Sequence, residues 1–161
     1  MAVDMFLDID GEISGESQDS VHKGTIDVLA WSWGMSNSGT FHGGGGGGSG
    51  KANFQDISIT KYVDLSSNKL QLYCANGDHF DSATLIVRKA GKKPLEYITI
   101  KMNKVLITSV SSGGSGGEDR LTENVTLNFA EVDYVYKEQK DDGTGGPDQP
   151  FKWDIRGNAQ L

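Results

Sequence analysis

The sequence predicts a mainly β protein, either a barrel or a sandwich, with one α-helix. Two observations lead to this fold class. Apolar residues recur at every second position through most of the 161-residue chain, which is the period of a strand with one buried face. Only residues 64–77 instead carry helix-capping residues at both ends. The length is typical of one domain, over residues 1–161, with room for a sizeable core.

The first two predicted strands differ in how their apolar residues are arranged. Residues 3–9 alternate apolar and polar side chains and lead to Asp10-Gly11, a pair typical of a tight turn. Residues 25–36 are apolar on both faces, whereas a half-exposed strand is polar on one. We therefore expect one face to contact the core and the other to contact a further surface. The faces are Leu29, Trp31, Trp33 and Met35, and Ile26, Val28 and Ala30.

Two long apolar segments follow. Residues 95–110 predict one long strand or a bent pair. Residues 121–137 change phase, which predicts a bulge or bend near 129–131, as at a barrel corner. A short strand over 150–156 brings the total to eight to ten. The in-phase sets are Ile98, Ile100, Met102, Leu106 and Val110, then Val125, Leu127 and Phe129, then Ala130, Val132, Tyr134 and Tyr136.

The predicted helix lies on the flank of the sheet, around residues 65–75. Asp64 or Ser66 is placed to cap its start and Asn76-Gly77 to end it. Leu65, Leu72 and Cys74 are expected to face the sheet. Because Cys74 is the only cysteine, an intramolecular disulfide is excluded, and a small buried residue is favoured over a nucleophile.

Two glycine-rich loops interrupt the strands, at residues 37–52 and 111–119. Gly45 to Lys51 has the spacing of a phosphate-binding loop, but Ala52 occupies the position that needs a hydroxyl. A strand pattern follows, whereas a phosphate loop opens a helix. The glycines therefore indicate a flexible loop inserted between strands.

Composition and charge exclude several classes of function. A net charge of −7 argues against a nucleic-acid partner, which requires a basic face. No apolar run is long enough to insert in a membrane, and the N-terminus lacks a signal-peptide pattern, so we expect folding in the cytoplasm. His22, His42 and His79 are scattered, and no catalytic or metal-binding pattern is found. We therefore expect no cofactor and no enzymatic activity.

Two interpretations of the β pattern stay open at this point. In a self-assembling protein, the second apolar face of residues 25–36 is a subunit interface, and a glycine-rich loop lies across a neighbour. The alternative is a monomeric or small-oligomer barrel that binds a small ligand inside. The three tryptophans and several tyrosines favour a filled interior, and hence assembly.

Six segments resemble one family in their order along the chain. They are IDVLAWSWGMS (26–36), the glycine run closing in Gly50-Lys51, KYVDLSSNKL (61–70), RKAG (88–91), SSGGSGGEDRLTENVTLNFAEV (111–132) and the C-terminal KWDIR. Together they resemble the haemolysin-coregulated protein (Hcp) family, the tail-tube component of bacterial type VI secretion.

The resemblance implies a β-barrel with one helix on its flank and a homohexameric ring with a central channel. Rings stack inside a contractile sheath under a spike protein, and contraction secretes the tube without a signal peptide. In several members of the family, effector proteins are carried in the channel. The loop at 37–52 resembles the family loop that reaches an adjacent subunit or ring, through Ser38, Phe41, His42 and Lys51. We expect Ser111, Ser112 and Ser115 to line the channel.

Overall fold

The computed structural model describes residues 2–10, 13–39, 41–43 and 50–161. Ten strands lie in these ranges, within the predicted eight to ten, together with one α-helix, α1, and a 3-10 turn at Phe41–Gly43. The elements in chain order are β1 Val3–Ile9, β2 Ile26–Ser32, β3 Met35–Ser36, β4 Asn53–Phe54, β5 Ile57–Tyr62, α1 Ser67–Asn76, β6 His79–Lys89, β7 Leu95–Ser112, β8 Thr122–Gln139, β9 Gly145–Asp154 and β10 Ala159–Gln160.

Six strands close into a barrel. They follow the order β8-β5-β2-β1-β6-β7, and β7 pairs again with β8 to complete the circle. Every pairing is antiparallel. β9 and β10 extend the sheet from β8, while β3 and β4 form a separate two-stranded ribbon. The predicted β-barrel is therefore confirmed, and the sandwich is excluded.

Aliphatic side chains fill the barrel. The three tryptophans, Trp31, Trp33 and Trp153, are only half-buried and pack against the rim of the core. The expectation that tryptophan and tyrosine rings fill the interior is therefore wrong, because aliphatic side chains, with Phe80 and Phe129, already fill it. Fully buried aliphatic residues include Leu7, Ile26, Ile57, Ile59, Leu85, Ile100, Val125 and Leu127.

The buried positions of β7 and β8 both change phase partway along the strand. In β8 the buried positions pass from Phe129 to Val132, so the predicted change of phase is confirmed, whereas the pairing of β7 with β8 shows no register shift near 129–131. Opposite these residues, Lys104 takes a left-handed conformation with φ 57°, which is uncommon for a residue with a side chain. This residue shifts the buried phase of β7. Val105 and Ile107 are buried, and the prediction that Leu106 shares the phase of Met102 is wrong.

Helix α1 packs on β7 through a face that differs from the predicted one. Leu70 is fully buried, and Tyr73 and Cys74 are partly buried; these positions stand three and four residues apart, as one helical face requires. Leu65 and Leu72 point to solvent, with 72% and 56% of their surface exposed. The end was predicted correctly, since Gly77 is left-handed at φ 73°.

Candidate assembly surfaces

The outward face of four neighbouring strands carries two rows of small uncharged side chains. Adjacent strands are in register across β2, β5, β8 and β7, so each row crosses all four. We call these eight residues the polar wall. One row is Ala30, Thr60, Asn124 and Ser111, and the next is Ser32, Ser58, Thr126 and Ser109.

Side chains of the polar wall bond to one another. The Thr60 hydroxyl donates to Oδ1 of Asn124 at 2.8 Å. The hydroxyl oxygens of Ser109 and Thr126 lie 2.6 Å apart. These bonds satisfy hydroxyl groups within the surface and hold their orientation. The result is a surface that presents hydroxyl and amide groups and no ionisable group.

The three predicted channel serines line one open groove of 410 Å³ at the end of the polar wall. Ser111 belongs to the wall. Ser112 pairs with Glu123, whose side chain is buried, so its side chain alternates to the other face of β7. Ser115 lies in the following turn, where its carbonyl accepts the N–H of Glu118 at 3.1 Å. All three serines are exposed.

Beyond Ser111, sequence reasoning missed the polar wall. The signal was present in the alternation of polar and apolar residues through 57–60 and 124–127. That alternation shows which residues share a face of one strand. The alternation does not show which strands are neighbours. The two rows of the polar wall, which cross four strands, therefore could not be predicted from it.

The loop at 37–52 stands on an aromatic base. The ring of Trp33 stacks on Phe54 and Tyr134, with centroids 6.3 and 6.0 Å apart, and Phe54 stacks on Trp153 at 6.4 Å. The indole N–H of Trp33 donates to the Gln55 carbonyl at 2.9 Å. Burial in this base raises the pKa of the Tyr134 hydroxyl. The residues on both sides of the loop are therefore held in place by packed aromatic rings.

Hydrogen bonds close the neck of this loop. The Asn37 side-chain amide donates to the Gly50 carbonyl at 2.9 Å, and the Gly50 N–H lies 3.5 Å from the carbonyl oxygen of Ser38. Ser38 and Lys51 thus stand at the neck, both exposed.

Beyond the neck, the Phe41 side chain projects with 86% of its surface exposed, and His42 beside it is exposed as well. Thr40 and residues 44–49, which hold most of the phosphate-loop pattern, lie outside the described residues.

A buried ionic network ties α1 to the barrel. The Lys61 ammonium contacts Oε1 of Glu123 and lies 3.0 Å from Oδ1 of Asp64. Ser67, the first residue of the helix, donates its hydroxyl to Glu123 at 2.7 Å. The side chains of Lys61 and Glu123 are 0% and 1% exposed.

Sequence reasoning missed this network, although a signal existed. Lys61 continues the inward phase of Ile57 and Ile59, and Glu123 that of Val125 and Leu127. Charges in an inward phase indicate a buried pair.

Two other kinds of site are absent from the described residues. In the part of the chain that the structure describes, no group of three or more His, Cys, Asp or Glu side chains is placed to hold a metal ion. Across the same residues, no helix has the length and apolar character to cross a membrane.

Comparison with known proteins identifies the family. The family described as "Type VI secretion system effector, Hcp" matches residues 6–136. Protein hcp1 of Pseudomonas aeruginosa is 57% identical over 164 aligned positions that cover all of both chains. A solved type six secretion system protein superposes with a TM-score of 0.93 at 29% identity, over 99% of this chain and 100% of the other. Hcp1 from Salmonella typhimurium gives 0.81 at 33% identity, over 100% of both.

The closed barrel with its flanking helix, shared over the full chain with these proteins, defines a tube subunit of type VI secretion. The chain belongs to the Hcp family, and the resemblance seen in the sequence is confirmed. Members of this family are secreted structural proteins that assemble into stacked rings.

Proposed function

We propose that six copies of this chain close into a ring and that the polar wall faces the central channel. The composition of the polar wall is the observation that supports this proposal. Solvent-facing strands ordinarily hold interspersed charges, and 23% of this chain is charged, yet these eight aligned positions have none. A channel that must pass different proteins benefits from a surface that forms hydrogen bonds and neither attracts nor repels charge.

The proposal extends to cargo and partners. Effector proteins would lie against the polar wall and against Ser111, Ser112 and Ser115 at its end. Each chain would contribute one domain, residues 1–161, to the stacked tube. The tube would lie inside a contractile sheath and under a spike protein. Contraction would then carry it from the cytoplasm out of the cell. The chain acts in this as a structural subunit without catalysis.

Light scattering coupled to size exclusion tests the ring. One chain weighs 17.3 kDa, so a hexamer elutes with a mass of about 104 kDa. Annular particles in negative-stain images of the same peak would support the ring. A monomeric peak at every concentration would contradict it.

A second experiment tests the channel lining. Thr126→Arg places a long cation in the middle of the wall, and we expect at least a tenfold loss of a co-purified effector from intact hexamers. Ser115→Trp at the end of the wall should also reduce retention. Gln71→Arg, on the exposed surface of α1, is the matched control and should retain the effector. Normal retention in both wall variants would contradict the proposal.

A further inference from the structure

The buried network around Lys61 contains chemistry that the proposed assembly does not use. It holds one amine and two carboxyl groups, and the side chains of Lys61, Asp64 and Glu123 are 0%, 6% and 1% exposed. A buried ion pair is weak evidence for stability, because taking both charges out of water can cost more than their attraction returns. We therefore asked what else these three groups can do in this arrangement.

The fold sets the amine and one carboxyl group directly opposite each other. Lys61 on β5 and Glu123 on β8 are register partners on adjacent antiparallel strands, and both side chains point into the barrel. The Cβ atoms of such partners lie about 5 Å apart, so two long side chains meet without movement of the backbone. The Lys61 Nζ contacts Oε1 of Glu123. Groups held together in this way react as if they were highly concentrated.

Asp64 and Ser67 supply the groups that can move protons. Oδ1 of Asp64 lies 3.0 Å from the Lys61 Nζ, within hydrogen-bond reach of a proton on that nitrogen. The Ser67 hydroxyl donates to Oε1 of Glu123 at 2.7 Å and accepts the backbone N–H of Asp64 at 2.9 Å. These bonds hold the carboxyl group of Glu123 in one orientation beside the amine.

The surroundings are apolar and leave one oxygen atom unsatisfied. Ile59 and Val125, two residues away on each strand and in the same inward phase, are fully buried. Such surroundings disfavour charged groups relative to neutral ones. Oε2 of Glu123 is buried and has no hydrogen-bond partner among the described residues, which is costly for a carboxylate. An amide oxygen in the same place costs less, because an amide carries no net charge.

We propose that Lys61 and Glu123 condense into an isopeptide bond once the barrel has folded, with the ion pair as the reactant. Asp64 accepts a proton from Nζ, and the nitrogen lone pair attacks Cδ of Glu123. The N–C bond forms, the C–Oε1 bond breaks, and Oε1 leaves as water with the two protons that the ammonium gives up. One ammonium and one carboxylate become one amide and one water, so the step needs no oxidant, reductant or cofactor.

The bond ties β5 to β8 and encloses α1, β6 and β7 in the chain between its two ends. A covalent link of this kind stabilises a protein chiefly by restricting the unfolded chain. The inference goes beyond the proposed function and does not depend on the ring or on the channel. It gives each subunit a covalent brace beside its helix.

Mass spectrometry of the whole denatured chain tests the bond. After the folded protein has been incubated at neutral pH, we expect a species lighter by one water, and a tryptic map that joins the peptide of Lys61 to that of Glu123. An unchanged mass after prolonged incubation would overturn the proposal. Loss of water localised instead to Asp142, which precedes Gly143 and can cyclise onto it, would also overturn it.

Substitution of the third carboxyl group tests the proton transfer. Asp64→Asn keeps the size of the side chain but removes the proton acceptor, and bond formation should slow at least tenfold. Asp148→Asn is the matched control, because that carboxyl group pairs with Lys137 at the surface, and it should form the bond at the wild-type rate. Circular dichroism verifies that both variants are folded. Equal rates in the two variants would overturn the role of Asp64.

Substitution of the two linked residues tests their identity. In Glu123→Gln the same attack releases ammonia in place of water and gives the same amide, so the linked variant should have the mass of the linked wild-type chain. Lys61→Met should abolish the lighter species. A water loss that persists in Lys61→Met would overturn the assignment, as would a folded Glu123→Gln chain that loses no ammonia.

Discussion

The two faces of the sheet formed by β2, β5, β8 and β7 come from the same strands and differ completely. Inward side chains such as Ile59 and Leu127 are fully buried in the barrel. Outward side chains one residue away, such as Thr60 and Thr126, belong to the uncharged polar wall. Burial of apolar area selects the inner face, whereas the outer face contributes little to stability and is free to serve assembly. Within each of these strands, the inward residues therefore stabilise the fold and the outward residues are available for assembly.

The largest loss of stability is expected from a substitution in the charged pair on the inner face. Lys61→Met should lower the free energy of unfolding by about 3–5 kcal/mol, because it leaves the buried Glu123 carboxylate without its cation. Urea denaturation monitored by circular dichroism measures the change. Lys137→Met is the matched control, since its pair with Asp148 is largely exposed, and it should cost at most about 1 kcal/mol. Equal losses of stability in the two variants would mean that the buried ion pair contributes no more than the exposed one.

Adjacent residues of β8 give the next largest effect and compare the two faces directly. Leu127→Ala should cost about 2–5 kcal/mol, because it leaves a cavity in a filled barrel. Thr126→Ala removes only hydroxyl contacts on the outer face and should cost about 1 kcal/mol. The same denaturation experiment checks both. A Thr126→Ala loss as large as that of Leu127→Ala would show that the polar wall is also a folding element.

A smaller and pH-dependent effect is expected outside the wall, at Asp19. The Arg88 guanidinium, with bonds of 2.6 and 3.0 Å, lowers the pKa of the Asp19 carboxyl well below its usual range, and the backbone N–H groups of His22 and Val21 assist. A lowered folded-state pKa gives stability that is present above about pH 4 and is lost as pH falls further.

The melting temperature of Asp19→Asn should therefore lie below that of the wild type at neutral pH, and the difference should shrink below about pH 4. Asp142→Asn is a matched control: Thr144 lowers the pKa of that exposed carboxyl within a single turn, so the effect should be smaller. A difference for Asp19→Asn that does not change with pH would contradict the assignment.

The smallest effect is expected on the outer face of α1. Leu72→Ser should change the free energy of unfolding by less than about 0.5 kcal/mol, because the side chain is exposed, whereas Leu70→Ala should cost about 2–5 kcal/mol. Thermal or urea unfolding distinguishes the two. Should Leu72→Ser be the more damaging, the helix would pack through the face that the sequence first suggested.

Much of the fold was readable from the sequence, because strands of period two and a capped helix are local patterns. The change of phase near 129–131 and the end of α1 at Gly77 were predicted for this reason. The error at Leu106 arose where a single residue changes the phase. The left-handed Lys104 moves the buried positions of β7 by one, and no pattern of apolar residues shows this in advance.

The sequence by itself determined the fold class, the glycine-rich character of the loops and the family. Only the tertiary structure decided which distant residues meet. Closure of the barrel sets Ala30, Thr60, Asn124 and Ser111 in one row and brings Lys61 to Glu123. The physical reason is that alternation along a strand is a local property, whereas the register between strands follows from closing the whole barrel around one core.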